Sequence, residues 1–199
     1  TNNGTIALAS NQAVAQAANI TGGAITANGA TITRTAGTMT GSSVALTAVN
    51  GIGSGGNRIT FNAPTITANT TNNSVFLQSN SATTNINASS AGAGGQFNLT
   101  SGAGNNVNVN AAIASPTINI VSGGTLSNSA AINTQSLTLT STGALGINNT
   151  VNATTAALSG LTTTINSTVN ATTANVSATN ALTTGVGGQV NAATLTLNS

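Results

Sequence analysis

Short alternating segments of apolar and small polar residues run along the whole chain. In each segment, aliphatic or aromatic residues lie two positions apart, as in Ile6-Ala7-Leu8, Phe97-Asn98-Leu99 and Leu137-Thr138-Leu139. Alternation with a period of two is the pattern of a half-buried β-strand. Gly and Asn clusters separate the segments, and Thr, Asn, Gly and Val outnumber the strong helix formers. The pattern predicts an all-β protein built from many short strands.

In the second half of the chain these segments repeat at a period near 19 residues. Four apolar positions recur in each repeat. The reference position holds Ile113, Ile132, Val151, Val169 and Val190. Five residues later come Ile118, Leu137, Ala156, Ala174 and Leu195, and seven later come Ile120, Leu139, Leu158, Val176 and Leu197. Thirteen later come Leu126, Leu145 and Leu182. Thr164 interrupts this last column, and a one-residue bulge is expected to let Ile165 fill it.

The first half of the chain carries a less regular version of the repeat. The segment Phe61–Ile66 matches Ile113–Ile118, and Ile86 begins a coil between them. The spacings of 25 and 27 residues between these reference positions predict insertions at Asn69–Asn73 and within residues 91–106. Two further reference positions extend the pattern toward the N-terminus: Ile25 and Met39.

A repeat of this length has room for three short strands and the corners between them. Coils stacked at ~4.8 Å form three parallel sheets around one narrow core. The offsets do not follow the strict six-residue spacing of left-handed solenoids, and parallel β-connections favour right-handed winding. We therefore predict a right-handed parallel β-solenoid (β-helix), with about 19 residues per coil and longer N-terminal coils. It is expected to form a single domain over residues 1–199, with roughly eight to ten coils.

Two polar columns accompany the apolar ones and supply the candidate site residues. One residue after the reference position lies an Asn column, whose stacked amides can donate and accept along the column as a structural ladder. Four residues after it lies a column of hydroxyls that is expected to point outward. This stripe resembles the flat threonine arrays of solenoid ice-binding proteins, although Thr is also favoured on any solvated strand face. The Asn ladder is predicted to contain Asn62, Asn87, Asn133, Asn152, Asn170 and Asn191, and the hydroxyl stripe Thr65, Thr117, Ser136, Thr155, Thr173 and Thr194.

Ionisable side chains are almost absent. Arg34 and Arg58 are the only two, and the chain has no Asp, Glu, Lys, His or Cys. General acid–base catalysis needs a titrating side chain, and a Ser or Thr nucleophile needs a neighbouring base. Zinc and calcium sites need Cys, His or carboxylate ligands. We therefore expect no enzyme activity, no catalytic residues, no metal site and no cofactor. In-register stacking offers a reason for the composition, because equal charges ~4.8 Å apart along a column repel one another.

Nucleic acid and membrane partners are not expected either. A net charge of +2 over 199 residues gives no basic patch, and the three Phe residues are the only aromatic side chains that could stack on bases. No apolar run has the length of a membrane-spanning helix. We therefore predict no nucleic-acid binding and no membrane insertion.

Repeat units such as Val151–Gly160, Val169–Val176 and Gly123–Ser127 resemble the shafts of filamentous-haemagglutinin-like bacterial exoproteins. The resemblance is one of repeat style and spans most of the chain. It implies a right-handed β-helical shaft of a large adhesin secreted by a two-partner system, and hence an extracellular or bacterial cell-surface location. It transfers no functional residues, because a shaft has none at fixed positions.

The sequence thus predicts a non-catalytic extracellular rod or filament segment with a structural or adhesive role. The alternative is an ice-binding or glycan-binding solenoid that acts through its Thr and Asn faces. The terminal segments Thr5–Leu8 and Ala193–Ser199 are in the repeat register and carry no charged, helical or aromatic cap. We therefore expect each end to adjoin further shaft or to stack on an identical subunit. The expected partners are the protein itself, end to end, and host or environmental surface glycans.

Overall fold

The computed structural model describes residues 4–199, and all regular structure in that range is β-strand. The strands pair in parallel throughout. Their bounds in chain order are β1 (Ile6–Ala9), β2 (Ala13–Gln16), β3 (Ile20–Thr21), β4 (Ala24–Gly29), β5 (Thr31–Arg34), β6 (Met39–Thr40), β7 (Ser43–Ala48), β8 (Ile59–Asn62), β9 (Thr65–Thr70), β10 (Val75–Ser79), β11 (Thr83–Ile86), β12 (Ser89–Ser90), β13 (Gln96–Ala103), β14 (Asn106–Val109), β15 (Ile113–Ala114), β16 (Thr117–Gly123), β17 (Leu126–Asn128), β18 (Ile132–Ser141), β19 (Ala144–Ile147), β20 (Val151–Ile165), β21 (Thr168–Thr184) and β22 (Gln189–Asn198).

The strands stack into a β-solenoid of about ten turns, in which residues about 19 apart lie over one another. One apolar column crosses the whole molecule with one residue in each coil. Its members are Val14, Ile32, Ile52, Val75, Phe97, Ile118, Leu137, Ala156, Ala174 and Leu195. The predicted all-β, parallel, stacked-coil architecture is therefore confirmed. The winding sense stays a prediction.

A regular coil contains three strand segments, which we name from the coil that begins at Thr117. Segment A is β16, segment B is β17, and segment C is Ile132–Thr134 at the start of β18. Each segment pairs with the equivalent segment of the next coil. The pairing of β18 with β20 skips Gln135 and Thr154, which lie at the corner between segment C and the next segment A.

The alternation seen in the sequence directs side chains inward and outward in turn. In β16, Ile118, Ile120 and Ser122 are buried, while the residues between them are partly exposed. Burying an aliphatic side chain of this size contributes about 1.5–3 kcal/mol. The buried residues form one continuous apolar cluster from Val14 to Val176. The solenoid is therefore held together by a narrow core that runs along its length.

The column thirteen residues after the reference position differs from the prediction at one coil. Thr163 occupies the column between Leu145 and Leu182, and Ile165 pairs instead with Ile147. Thr163 is fully buried, and its hydroxyl donates a hydrogen bond to the Ser177 carbonyl oxygen at 2.6 Å. A register shift does occur between Gly160 and Thr162, but there β20 has one residue fewer than β21, so that Thr163 and not Ile165 enters this column.

The predicted register of the N-terminal coils is right in one place and wrong in two. Met39 pairs with Phe61, and Val44 with Ile66, as predicted. On its other side, however, Ile66 pairs with Ile86, which was predicted to be a reference position and not a residue five positions later. The residue opposite the reference residue Ile113 is Ser89 and not Ile86. Ile25 is likewise displaced, because it pairs with Val44, whereas the partner of Met39 is Ile20.

Unequal coil lengths explain this error. Residues 53–58 form a loop between Ile52 and β8, and residues 71–74 form a turn before β10. Asn69 and Thr70, which were expected in an insertion, belong to β9 and pair with Thr47 and Ala48. Most of the second predicted insertion is likewise regular, since β13 lies within it, β14 begins at its last residue, and turns occur only at residues 93–94 and at residue 104. Where the coil length varies, apolar spacing alone fits more than one register.

Candidate functional site: the outward polar columns

Four of the six predicted Asn ladder residues stack in adjacent coils on segment C. The Asn152 Nδ2 donates to the Asn133 Oδ1 at 2.7 Å, the Asn170 Nδ2 to the Asn152 Oδ1 at 2.8 Å, and the Asn191 Nδ2 to the Asn170 Oδ1 at 2.9 Å. The backbones are also in register at these positions. Each amide thus donates to the preceding coil and accepts from the next, which is the arrangement of a cross-β amide ladder.

The other two predicted members lie elsewhere. Asn62 pairs with Thr40, and the Asn87 backbone N–H donates to the Ile66 carbonyl oxygen. Ala114, which follows the reference residue Ile113, pairs with Ser90, and Ser90 pairs in turn with Asn69. The Ser90 hydroxyl donates to the Asn69 Oδ1 at 3.0 Å. Earlier coils therefore carry a polar pair, Asn69 and Ser90, next to Ala114, and the sequence register did not identify it.

The predicted hydroxyl stripe forms over five coils of segment A. Thr117, Ser136, Thr155, Thr173 and Thr194 stack in register. The last three are exposed, and the first two are partly exposed. Thr65 is not part of the stripe, because it pairs with Asn85 on segment B. One hydrogen bond links two neighbours in the stripe, from the Thr155 hydroxyl to the Ser136 hydroxyl at 3.3 Å. The stripe therefore has little internal hydrogen bonding, and its hydroxyls face solvent.

The outward column beside the stripe has mixed chemistry. It contains Asn98, Asn119, Thr138, Ala157, Asn175 and Thr196. A regular two-dimensional lattice of hydroxyls would need this column to match the first. Segment A therefore carries one regular row of hydroxyls instead of a matched two-row array.

A second polar ladder on segment B was missed in the sequence. The Asn108 Nδ2 donates to the Asn85 Oδ1 at 3.1 Å, and the Ser127 hydroxyl donates to the Asn108 Oδ1 at 2.9 Å. The alternation of Asn85, Asn108 and Ser127 with aliphatic residues is visible in the sequence. The ladder could be identified only with the correct coil register.

Serines line the corner between segments A and B, on the inner side. Ser122 and Ser141 are buried, and each donates its hydroxyl to a backbone carbonyl oxygen of the corner: Ser122 to Thr125 and Ser141 to Gly143, both at 2.8 Å. Ser79 is also fully buried and shares a hydrogen bond with Thr84. The Thr125 and Gly143 carbonyl oxygens also accept the backbone N–H groups of Val107 and Leu161, so the bonds from Ser122 and Ser141 are additional to the backbone pairing. Because buried polar groups are costly unless they are paired, these bonds satisfy the buried serine hydroxyls themselves. Their role is structural.

The two arginines occupy different settings. The Arg34 Nε donates to the Gly37 carbonyl oxygen at 2.9 Å. The Arg58 Nη1 donates to the Asn98 Oδ1 at 2.7 Å and to the Leu77 carbonyl oxygen at 3.3 Å. The Arg58 guanidinium also lies 5.8 Å from the centroid of the Phe76 ring. Burial lowers the pKa of the Arg58 guanidinium, because desolvation disfavours its charged form.

Over residues 4–199, no three residues of the types that ligate metals through thiolate, imidazole or carboxylate come together. No helix in that range is long and apolar enough to cross a membrane. No protein-family model matches this chain, and neither the curated proteins nor the solved structures contain a match to it. The repeat architecture and its polar columns are therefore the basis for the functional argument.

Proposed function

We propose that this chain is a non-catalytic segment of an extracellular or bacterial cell-surface rod or filament, with a structural and adhesive role. The observation that supports it best is the continuous parallel stacking of about ten coils around one apolar core. Such an array is extended along its axis and displays the same outward columns in coil after coil. The lack of any titrating side chain besides the two arginines supports a non-enzymatic role.

The adhesive role is tested with the purified fragment on beads. Beads coated with the fragment are expected to adhere to glycan-coated surfaces, and a glycan array identifies the sugars. The fragment is compared with a variant that carries Asn152→Ala and Asn170→Ala. This variant lacks two amides of the Asn ladder but keeps the core unchanged, so the comparison measures what these amides contribute to adhesion. Failure of the fragment to bind any arrayed glycan or bacterial or host cell surface would contradict adhesion. It would leave a purely structural role.

The hydroxyl stripe favours ice binding as a second candidate. Five stacked hydroxyl residues, one in each coil, repeat at the ~4.8 Å spacing of parallel strands. Thermal hysteresis of the fragment measures this activity directly. Ice binding through the stripe predicts that Thr155→Tyr and Thr173→Tyr together abolish the hysteresis, whereas Asn152→Ala on segment C leaves it intact. The absence of hysteresis in the unmodified fragment would exclude this candidate.

We also propose that the solenoid associates end to end with further coils, either of the same polypeptide or of a second copy. In β22, Leu195 and Leu197 are 42% and 57% exposed, whereas their column neighbours Ala174 and Val176 are fully buried. Covering these side chains would extend the core and supply backbone partners to β22. Electron microscopy should show filaments of the fragment that Leu195→Asp with Leu197→Asp abolishes. Asn175→Asp, on the outward face, is the control and should not affect filaments.

A further inference from the structure

Arg58 lies at the end of a closed loop on the outer surface of segment A. Within this loop, the Ser54 N–H donates to the Asn57 carbonyl oxygen at 3.0 Å, and the Asn57 N–H donates to the Ser54 carbonyl oxygen at 3.2 Å. The loop begins at Gly53, which has a φ of +65°, and a Cβ there would lie 2.6 Å from the Phe76 carbonyl oxygen. Glycine is therefore required at this position. These constraints fix the loop that presents Arg58.

The protein holds only one edge of the Arg58 guanidinium. Both hydrogens of Nη1 have acceptors in the protein, one the Leu77 carbonyl oxygen and the other the Asn98 Oδ1. The Phe76 ring lies within cation–π distance of the group. Asn98 is only 6% exposed although it belongs to an outward column. The guanidinium is thus oriented before any ligand arrives.

The opposite edge has no partner among residues 4–199. Neither Nε nor Nη2 of Arg58 donates a hydrogen bond to the described part of the chain. These two nitrogens carry the parallel N–H groups that bind both oxygens of a carboxylate in a bidentate pair. Arg34 differs, because its Nε already donates to the Gly37 carbonyl oxygen.

No side chain of this protein can neutralise Arg58. The chain has no Asp and no Glu, so no side-chain carboxylate is available to the partly buried guanidinium. Desolvation lowers its pKa, and yet an arginine remains charged at neutral pH. A partly desolvated cation without an anionic partner gains more from an external anion than a fully solvated one does.

We propose that the Nε and Nη2 edge of Arg58 is a binding site for the carboxylate group of an external ligand. One fixed guanidinium edge matches one carboxylate in both geometry and charge. Uncharged polar side chains occur on the same segment: Gln78 follows Leu77, whose carbonyl oxygen holds Arg58, and the Gln78 Oε1 accepts from the Thr100 hydroxyl at 2.5 Å. This setting suits a uronic acid, whose carboxylate is surrounded by hydroxyls. The site does not depend on the adhesive role proposed above.

The test is a titration of the purified protein with galacturonate and with polygalacturonate, followed by NMR chemical shifts. Arg58→Gln is expected to weaken binding at least about tenfold, since hydrogen bonds to charged groups are among the stronger ones. Arg34→Gln, which removes the same charge elsewhere, should stay within about twofold of the unmodified protein. Thermal melts followed by circular dichroism verify that the variants fold. Arg58→Lys keeps the charge but not the fork, and should lose most of the affinity.

The two ligands distinguish the source of the carboxylate. Equal affinity per carboxylate assigns the site to a small free carboxylate, and tighter binding of the polymer assigns it to an acidic polysaccharide; both results support the site. No binding by the unmodified protein would overturn the proposal. Equal loss of affinity in Arg34→Gln and Arg58→Gln would also overturn it, because that result indicates only attraction to net positive charge.

Discussion

The N-terminal and C-terminal coils fill the same narrow core with different side chains. In the N-terminal coils the buried residues include Phe61, Phe97 and Met39, all fully buried. Toward the C-terminus the column of Phe97 continues with Ile118 and Leu137 and then with the smaller Ala156 and Ala174. The coils that have the smaller core residues also have nearly constant length and the uniform Asn ladder. In this column the residues become small at two positions in the coils that carry the uniform ladder, whereas the fully buried aromatic residues Phe61 and Phe97 lie in the N-terminal half.

The largest effect is expected from a charge placed in the core, which both regions share. Leu137→Asp should lower the free energy of unfolding by more than about 4 kcal/mol, or prevent folding, because an unpaired carboxylate would be buried in an apolar core. Thr138→Asp, the next residue on the outward face, is the matched control and should cost less than about 1 kcal/mol. Chemical denaturation measures both. Equal effects would contradict the assignment of inward and outward faces.

Exchanging the core residues of the two regions tests whether they differ in width. Phe97→Ala should cost about 3–5 kcal/mol, since it leaves a large cavity between Val75 and Ile118. The reverse change in the same column, Ala156→Phe, should cost about 1–3 kcal/mol, because the ring has to be forced into a position where a small buried residue is already packed. If Ala156→Phe stabilised the protein, the C-terminal core would contain unfilled space and the comparison would fail.

The sequence was sufficient for the fold class and for the C-terminal register. From Ile113 to Leu197 the spacing changes by no more than three residues between coils, and the predicted columns match the pairings except in one coil, where Thr163 instead of Ile165 lies between Leu145 and Leu182. It was insufficient in the N-terminal coils, where the loop at residues 53–58 changes the coil length. Ile66 could then be matched to Ile118, although the backbone pairs it with Ile86.

The candidate site residues divide in the same way. Asn133 to Asn191 and Thr117 to Thr194 lie in coils of near-constant length, and the structure brings them together. Asn62, Asn87 and Thr65 lie in coils of variable length, and their assignment was wrong. The role proposed for Arg58 could not be predicted from sequence, because it depends on which edge of the guanidinium forms hydrogen bonds in the fold.

A buried hydroxyl in the C-terminal coils sharpens the comparison further. Thr163→Val keeps the shape of the side chain but removes its hydrogen bond to the Ser177 carbonyl oxygen. We expect a loss of about 1–2 kcal/mol in the free energy of unfolding. Thr164→Val, one residue later on the outward face, is the control and should have a smaller effect. If Thr163→Val raised the free energy of unfolding, the Thr163 hydroxyl would not contribute to stability in this column.

The smallest expected effect concerns the absence of charge in the Asn ladder. Asn152→Asp with Asn170→Asp places two carboxylates in neighbouring coils, and their repulsion should exceed the sum of the single effects by about 1 kcal/mol at low salt and neutral pH. Repulsion raises the folded-state pKa values above the unfolded one, so the coupling is absent at low pH and appears as pH rises through the folded pKa values. Denaturation of the two single variants and the double variant at two pH values measures it. A coupling that is unchanged by pH or by salt would contradict the electrostatic explanation.

The most direct test of the stacked-coil account is cysteine cross-linking, because the chain has no Cys of its own. Thr47 and Asn69 are in register in adjacent coils, and paired parallel residues lie at distances that a disulfide can bridge. Thr47→Cys with Asn69→Cys should form an intramolecular disulfide under mild oxidation, whereas Asn62→Cys with Asn87→Cys should not. A disulfide at 62–87 and none at 47–69 would contradict the register of the N-terminal coils and, with it, the continuous solenoid.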